Sequence, residues 1–158
     1  MSLSPPIVAS GAALLAAIRA DPEDDLPRLA FADWLEEQGN PESLTRAEFI
    51  RAQLVEVAAG IGSPAAIDAL LATSRILKRS QRWLAGCDWL YDYRMSHGMW
   101  SWNRVGDSIT VTICAAEDED VDLTFRRGFL ALVRCSLEHW LRYGSELVGA
   151  HPLTRVEL

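Results

Sequence analysis

Residues 108–136 read SITVTICAAEDEDVDLTFRRGFLALVRCS, and apolar side chains recur there at every second position. A period of two is typical of strands with one buried face, so the stretch predicts three strands. They cover residues 108–114, 121–125 and 129–135, separated by an acidic turn and by the tight turn Arg126-Arg127-Gly128. Three strands in sequence predict an antiparallel meander.

The C-terminal residues extend this sheet. Ser136 is a helix N-cap, and the helix after it carries an apolar stripe that ends at His151-Pro152. His151 is predicted to sit at the helix end and favour its dipole. Residues 154–158 predict a final strand, parallel to residues 129–135 because strand–helix–strand crossovers are right-handed. Its outer edge is predicted to be unpaired, so self-association or partner docking there involves Thr154, Val156 and Leu158.

The first 90 residues predict about four helices. Ser10 caps the first, Asp24 or Asp25 begins the second, and Ser63 with Pro64 begins the fourth. Thr45 with Glu48 forms a predicted capping box at the start of the third. The predicted fold class is therefore α+β: a helical bundle, then a small, mostly antiparallel sheet with one packed helix and a final parallel, repeat-like strand.

Between these parts lies an aromatic-rich stretch without clean periodicity, which predicts an irregular connection over residues 91–107. The predicted organisation is a helical region at residues 1–90, this connection, and a small α/β unit at residues 108–158. Trp34 and Trp140 are predicted to be core residues, whereas Trp100 and Trp102 are candidate partner contacts because tryptophan is enriched at interface hot spots.

Composition excludes several classes of protein. The chain has 158 residues and a formal charge of −7, which disfavours binding to nucleic-acid backbones. Its three cysteines, Cys87, Cys114 and Cys135, are odd in number and widely spaced, as expected of reduced thiols. No apolar run approaches the roughly 20 residues that span a membrane, and no signal peptide is evident. We expect a cytoplasmic protein.

No motif in the sequence indicates chemistry. The glycine-rich, nucleophile-elbow and zinc-binding patterns are absent, and His97, His139 and His151 are far apart. We therefore predict no catalytic residue, no cofactor and no metal.

Asp33 is the most informative carboxylate. Helical spacing places it beside Leu26 and Leu29, away from a free polar face. We predict a structural ion pair with Arg46 or Arg51 on the third helix. If that pair is partly buried, Asp33→Ala should destabilise the fold by a few kcal/mol.

Residues 21–53, DPEDDLPRLAFADWLEEQGNPESLTRAEFIRAQ, resemble the bacterial repeat-companion domain, whose pattern runs D-x-P-R-L-x-Y/F-A-D-W-L-E-E and then R-A-E-F-I-R-x-Q. The matching positions are Asp25, Pro27 to Leu29, Phe31 to Glu37, Gly39, Arg46 to Arg51 and Gln53. This family tends to precede leucine-rich-type repeats. The FRRGF of residues 125–129 and the HPLTRVEL of residues 151–158 look like the first strands of such a repeat.

The resemblance implies association and scaffolding, since the family has no established biochemical activity. We therefore expect a non-enzymatic protein-interaction or repeat-capping module with a protein partner. Two alternatives stay open. An enzyme with a dispersed site would need a pocket holding titratable groups of shifted pKa, and a nucleic-acid-binding accessory protein would need a contiguous basic face.

Overall fold

The computed structural model of the chain describes residues 10–60, 62–79, 99–114 and 121–158. Four helices come first: α1 Gly11–Ala20, α2 Leu26–Gln38, α3 Pro41–Ala59 and α4 Pro64–Arg79. A sheet follows, with β1 Met99–Val105, β2 Ser108–Cys114, β3 Val121–Arg126 and β4 Phe129–Arg134. Helix α5, Leu137–Ala150, leads to the short strand β5, Arg155–Glu157. The predicted α+β class is confirmed.

The helix boundaries follow local capping rules, with one correction. The Ser10 hydroxyl accepts a hydrogen bond from the Ala13 N–H, and Ser63 caps α4 through the Ala66 N–H. The predicted cap at Thr45 is wrong. Helix α3 begins earlier because Asn40 accepts from the Ser43 N–H and Pro41 fits the first helical position, so Thr45 lies inside the helix.

The sheet has the order β1-β2-β3-β4-β5. Neighbouring strands are antiparallel except β4 and β5, which are parallel as predicted. The predicted irregular connection over residues 91–107 is wrong for residues 99–105, which form β1 and pair with β2 over seven residues. Residues 91–98 lie outside the described part of the chain, as do His97, Trp83, Trp89 and Cys87.

Two buried clusters form the core. One lies between the sheet and helices, and contains Phe125, Leu130 and Val133 with Leu147 of α5. The other packs α1, α2 and α3 together around Phe31. Each cluster includes an aromatic ring from the other part of the chain. Phe49 of α3 belongs to the sheet cluster, and Phe129 of β4 belongs to the helical cluster. The helices and the sheet therefore share their apolar contacts.

Candidate functional site

The β3–β4 hairpin is the point where the sheet enters the helical region. Its two-residue turn has positive φ at both positions, 51° at Arg127 and 82° at Gly128, as the tightest hairpin turns require. The Gly128 N–H donates to the side-chain carbonyl of buried Gln53. A Cβ atom at Gly128 would lie 2.5 Å from the Ile50 Cα, so only glycine allows this approach to α3.

Charged groups around the turn hold it against the start of α2. Arg127 donates to Asp25 at 3.0 Å and to the Glu23 backbone carbonyl at 2.5 Å. Arg126 bridges Glu23 and Asp107, both at 2.7 Å. Burial of Asp107 opposes ionisation, but the hydrogen bond and charge of Arg126 outweigh it and lower the pKa of the Asp107 carboxyl.

Phe129, the first residue of β4, is the apolar centre of this junction. Its ring packs 5.5 Å from the Phe31 ring, and the guanidinium groups of Arg28 and Arg46 each lie 5.8 Å from its centroid. Arg46 also donates to the Ala150 carbonyl at 2.9 Å, while Arg19 donates to the Val148 carbonyl at 2.6 Å. Two arginines of the helical region therefore satisfy carbonyls that the C-terminal end of α5 leaves open.

This arrangement explains part of the motif that carries the family resemblance. Asp25, Arg28, Phe31, Arg46 and Gln53 belong to that motif, and each contacts the hairpin or the ring of Phe129. In this chain, these five residues bind the FRRGF hairpin at residues 125–129 and hold it against the helices.

The Asp33 prediction is partly confirmed. The Asp33 carboxylate lies 2.5 Å from Arg51, and Arg51 also pairs with Glu36. Arg46 is not part of this pair, because it reaches α5. The expected burial is wrong: the Asp33 side chain is 69% exposed, since α2 turns that face to solvent. The predicted decrease of a few kcal/mol in the free energy of unfolding on Asp33→Ala therefore no longer follows, because it required a partly buried pair.

Sequence reasoning did not find the ion pair between Glu56 of α3 and Arg104 of β1. Glu56 is 5% exposed, and burial raises the pKa of its carboxyl, while the charge and hydrogen bond of Arg104 oppose the rise. The only sequence feature that could have indicated this ion pair was Glu56 itself, a glutamate on the apolar side of α3 with no basic residue nearby on that helix face.

The histidines and the cysteine that are described have structural roles. His151 is 1% exposed, and its Nδ1 accepts from the Leu130 N–H at 3.2 Å, so this atom carries no proton. His151 lies at the helix end as predicted, as the C-cap residue of α5, and its ring is held by β4. His139 contacts Ser136, the N-cap of α5. Cys135 is buried as a free thiol, and burial raises its pKa.

Trp34 and Trp140 are partly buried beside the two core clusters, and each ring packs over a glycine, Gly11 and Gly144. Trp100 and Trp102 lie on β1, in register with Ile113 and Val111. Trp100 and Trp102 were predicted to contact a partner, and their side chains lie outside the described part of the structure.

The C-terminal end of the sheet is the second candidate site. Strand β5 pairs with β4 at a constant offset of 23 residues, with Val133 opposite Val156 and Arg134 opposite Glu157. The same offset aligns Leu130, Val133 and Cys135 with Leu153, Val156 and Leu158. The first three are buried, whereas Leu153 and Val156 are half-buried and Leu158 is 68% exposed.

Helix α5 has an apolar stripe that the rest of the described chain leaves in solvent. Leu137, Leu141 and Val148 are 57%, 77% and 46% exposed, and their spacing of four and seven residues places them on one face. The sequence predicts this stripe as part of the core-facing side, but only Leu147 and Gly144 of α5 are buried. Among the described strands, β5 pairs only with β4, and α5 with its exposed apolar face directly precedes β5 in the chain.

Within the described ranges, no three His, Cys, Asp or Glu side chains are grouped to hold a metal ion. No helix there is long and apolar enough to cross a membrane. Comparison with protein-family profiles, curated proteins and solved structures finds no match to this chain.

Proposed function

We propose that this protein is a non-enzymatic interaction module that caps the end of a strand–helix repeat array, in a cytoplasmic setting where its cysteines stay reduced. The carrying observation is the constant 23-residue offset between β4 and β5. Leucine-rich repeats have periods of 20–29 residues and the pattern L-x-x-L-x-L on each strand. The strands here read L-x-x-V-x-C at residues 130–135 and L-x-x-V-x-L at residues 153–158.

The burial gradient along these strands supports the same function. Leu130, Val133 and Cys135 are covered by the next strand and its helix, whereas their counterparts one period later remain partly in solvent. A repeat cannot bury its apolar face alone, so a further unit is the natural cover for the exposed counterparts and for the α5 stripe. The helical region would then close the opposite end of the array, through its contacts with the β3–β4 hairpin.

The resemblance to the bacterial repeat-companion domain supports this role. Its motif residues hold the hairpin from which the first repeat-like strand begins. In this proposal the partner is a protein segment that adds a strand parallel to β5 and packs a helix on α5.

Duplication of one period tests the proposal. Residues 136–158 form one unit of 23 residues, and a second copy appended after Leu158 would supply the missing strand and helix. We expect one cooperative unfolding transition, a higher free energy of unfolding, and a larger helical signal in circular dichroism. The matched control is the same extension with proline at the appended counterpart of Val156, which removes a ladder hydrogen bond. An extension that unfolds separately, or is no better than its proline control, contradicts the proposal.

A further inference from the structure

We infer that the outer edge of β5 is self-complementary and that the free protein pairs through it, antiparallel, with a second copy of this chain. This inference rests on the open edge used in the proposed function, but it assigns that edge a different occupant. The dimer would cover the edge whenever no repeat unit is bound.

The charge order of β5 favours the antiparallel arrangement. An antiparallel pair centred on Val156 places Arg155 opposite Glu157 of the second copy, and Glu157 opposite Arg155 of the second copy. Opposite charges on directly facing residues stabilise a strand pair, whereas like charges destabilise it. Parallel pairing in the same register would place arginine opposite arginine and glutamate opposite glutamate. A second copy therefore fits this edge in one direction only.

Both charged groups are already on one face of the strand. Glu157 accepts from Arg134 at 2.7 Å, and Arg155 lies 2.8 Å from the same carboxylate. Because Arg134 holds Glu157 in place, Arg155, which is 68% exposed, can reach across to a second copy while Glu157 keeps a partner. Pairing thus needs no rearrangement of β4 or β5.

The α5 stripe supplies the apolar area that a three-residue strand lacks. The two-fold axis of an antiparallel strand pair runs perpendicular to the sheet, so both copies of α5 lie on the same face of the joined sheet. Leu137, Leu141 and Val148 would contribute from both copies at the symmetric interface. A short strand pair alone is marginal in water, so we expect these side chains to determine the strength of the dimer.

Charge reversal tests the inference on the full chain. Sedimentation velocity across a concentration series should show a monomer–dimer equilibrium for the wild type. Arg155→Glu and Glu157→Arg each place like charges opposite each other, so each variant should weaken association about tenfold or more. The double variant restores complementarity and should dimerise again. An equimolar mixture of the two single variants should form the heterodimer, because each strand then carries one sign of charge.

Circular dichroism melts check that each variant folds. A wild type that stays monomeric to millimolar concentration overturns the inference whatever the variants do. Single variants that dimerise like the wild type, or a mixture that stays monomeric while the wild type dimerises, also overturn it. Leu141→Gln should weaken the dimer without altering its charge dependence. If the wild type is monomeric and the appended repeat still stabilises the chain, only the self-association fails; if both fail, the proposed function fails too.

Discussion

The β3–β4 hairpin junction and the edge of strand β5 differ in how completely they are buried. At the junction, Phe129 is 1% exposed, lies near the guanidinium groups of two arginines and packs on Phe31, and the preceding turn contacts α3 directly. One strand further along the sheet, β5 presents an edge with Leu158 and Arg155 in solvent. The hairpin junction is a buried internal interface, whereas the β5 edge exposes an apolar and a charged side chain. The two regions should therefore respond differently to mutation.

Phe129→Ala should have the largest effect at the hairpin junction. It removes a fully buried ring and leaves Arg28, which is 4% exposed, without its aromatic contact. We expect a loss of roughly 3–5 kcal/mol in the free energy of unfolding, measured by urea denaturation. A loss below about 1 kcal/mol would show that the helices and the sheet are not joined through this ring.

Gly128→Ala should come next, and Gly106→Ala is its control. Both glycines have positive φ, 82° and 62°, so both substitutions carry backbone strain of about 1–2 kcal/mol. Only at Gly128 would the new Cβ also meet Ile50, at 2.5 Å from its Cα, whereas nothing lies within 4 Å of a Cβ at Gly106. Gly128→Ala should therefore cost roughly 2–4 kcal/mol. Equal losses would mean that the hairpin does not contact α3 this closely.

Glu56→Gln should change how the free energy of unfolding varies with pH more than it changes the free energy of unfolding at pH 7. Because the pKa of Glu56 is raised in the folded state, the folded protein binds this proton more tightly than the unfolded chain does. The wild type should gain stability relative to the variant as pH falls from 7 through the folded pKa, and the difference should level off below the ordinary value of 4.5. A constant difference in urea denaturation from pH 7 to 4 would contradict the burial of Glu56.

Asp33→Ala should cost less than about 0.5 kcal/mol. The carboxylate is 69% exposed, and Arg51 keeps Glu36 as a partner when Asp33 is removed. The double variant Asp33→Ala/Glu36→Ala leaves Arg51 without either partner and serves as the comparison. A loss of several kcal/mol for Asp33→Ala alone would mean that the pair is buried in solution.

Leu141→Gln should have the smallest effect at low protein concentration. Leu141 is 77% exposed, and surface substitutions usually change the free energy of unfolding by less than about 0.5 kcal/mol. Leu147→Gln, on the buried side of the same helix, is the matched control and should be strongly destabilising. Comparable losses at the two positions would mean that the α5 stripe is covered within the monomer.

The sequence predicted helices and strands correctly where the spacing of apolar residues was regular or a capping residue was clear. The alternating strands, the Ser63-Pro64 start of α4 and the parallel β4–β5 pair follow from local rules, and the structure has all three. Strand β1 was missed because its aromatic residues were interpreted as irregular. The start of α3 was misplaced because Thr45 and Glu48 fit a capping box, although Asn40-Pro41 is itself an initiation signal.

The site was harder to predict because its contacts join distant segments. The pairing of Asp33 with Arg51 was within reach of helical geometry, since the two lie on consecutive helices. Contacts of Gln53 with Gly128 and of Arg28 with Phe129 join residues that are 75 and 101 positions apart in the sequence, and they leave no periodic trace. The exposure of Leu141 could not be distinguished from burial either, because an apolar stripe has the same spacing whether or not a neighbour covers it.

The arginine contacts at the end of α5 have a consequence for synthesis on the ribosome. Arg19 and the Val148 carbonyl are 129 residues apart in the chain, so this contact forms only after residue 148 has emerged. Until residue 129 has emerged, the apolar surface that Phe129 later covers stays open on the nascent helices. Contacts of such long sequence separation slow folding and prolong the lifetime of aggregation-prone intermediates. A nascent chain stalled before residue 129 should therefore depend on chaperones, while a chain that includes the β3–β4 hairpin closes that surface itself.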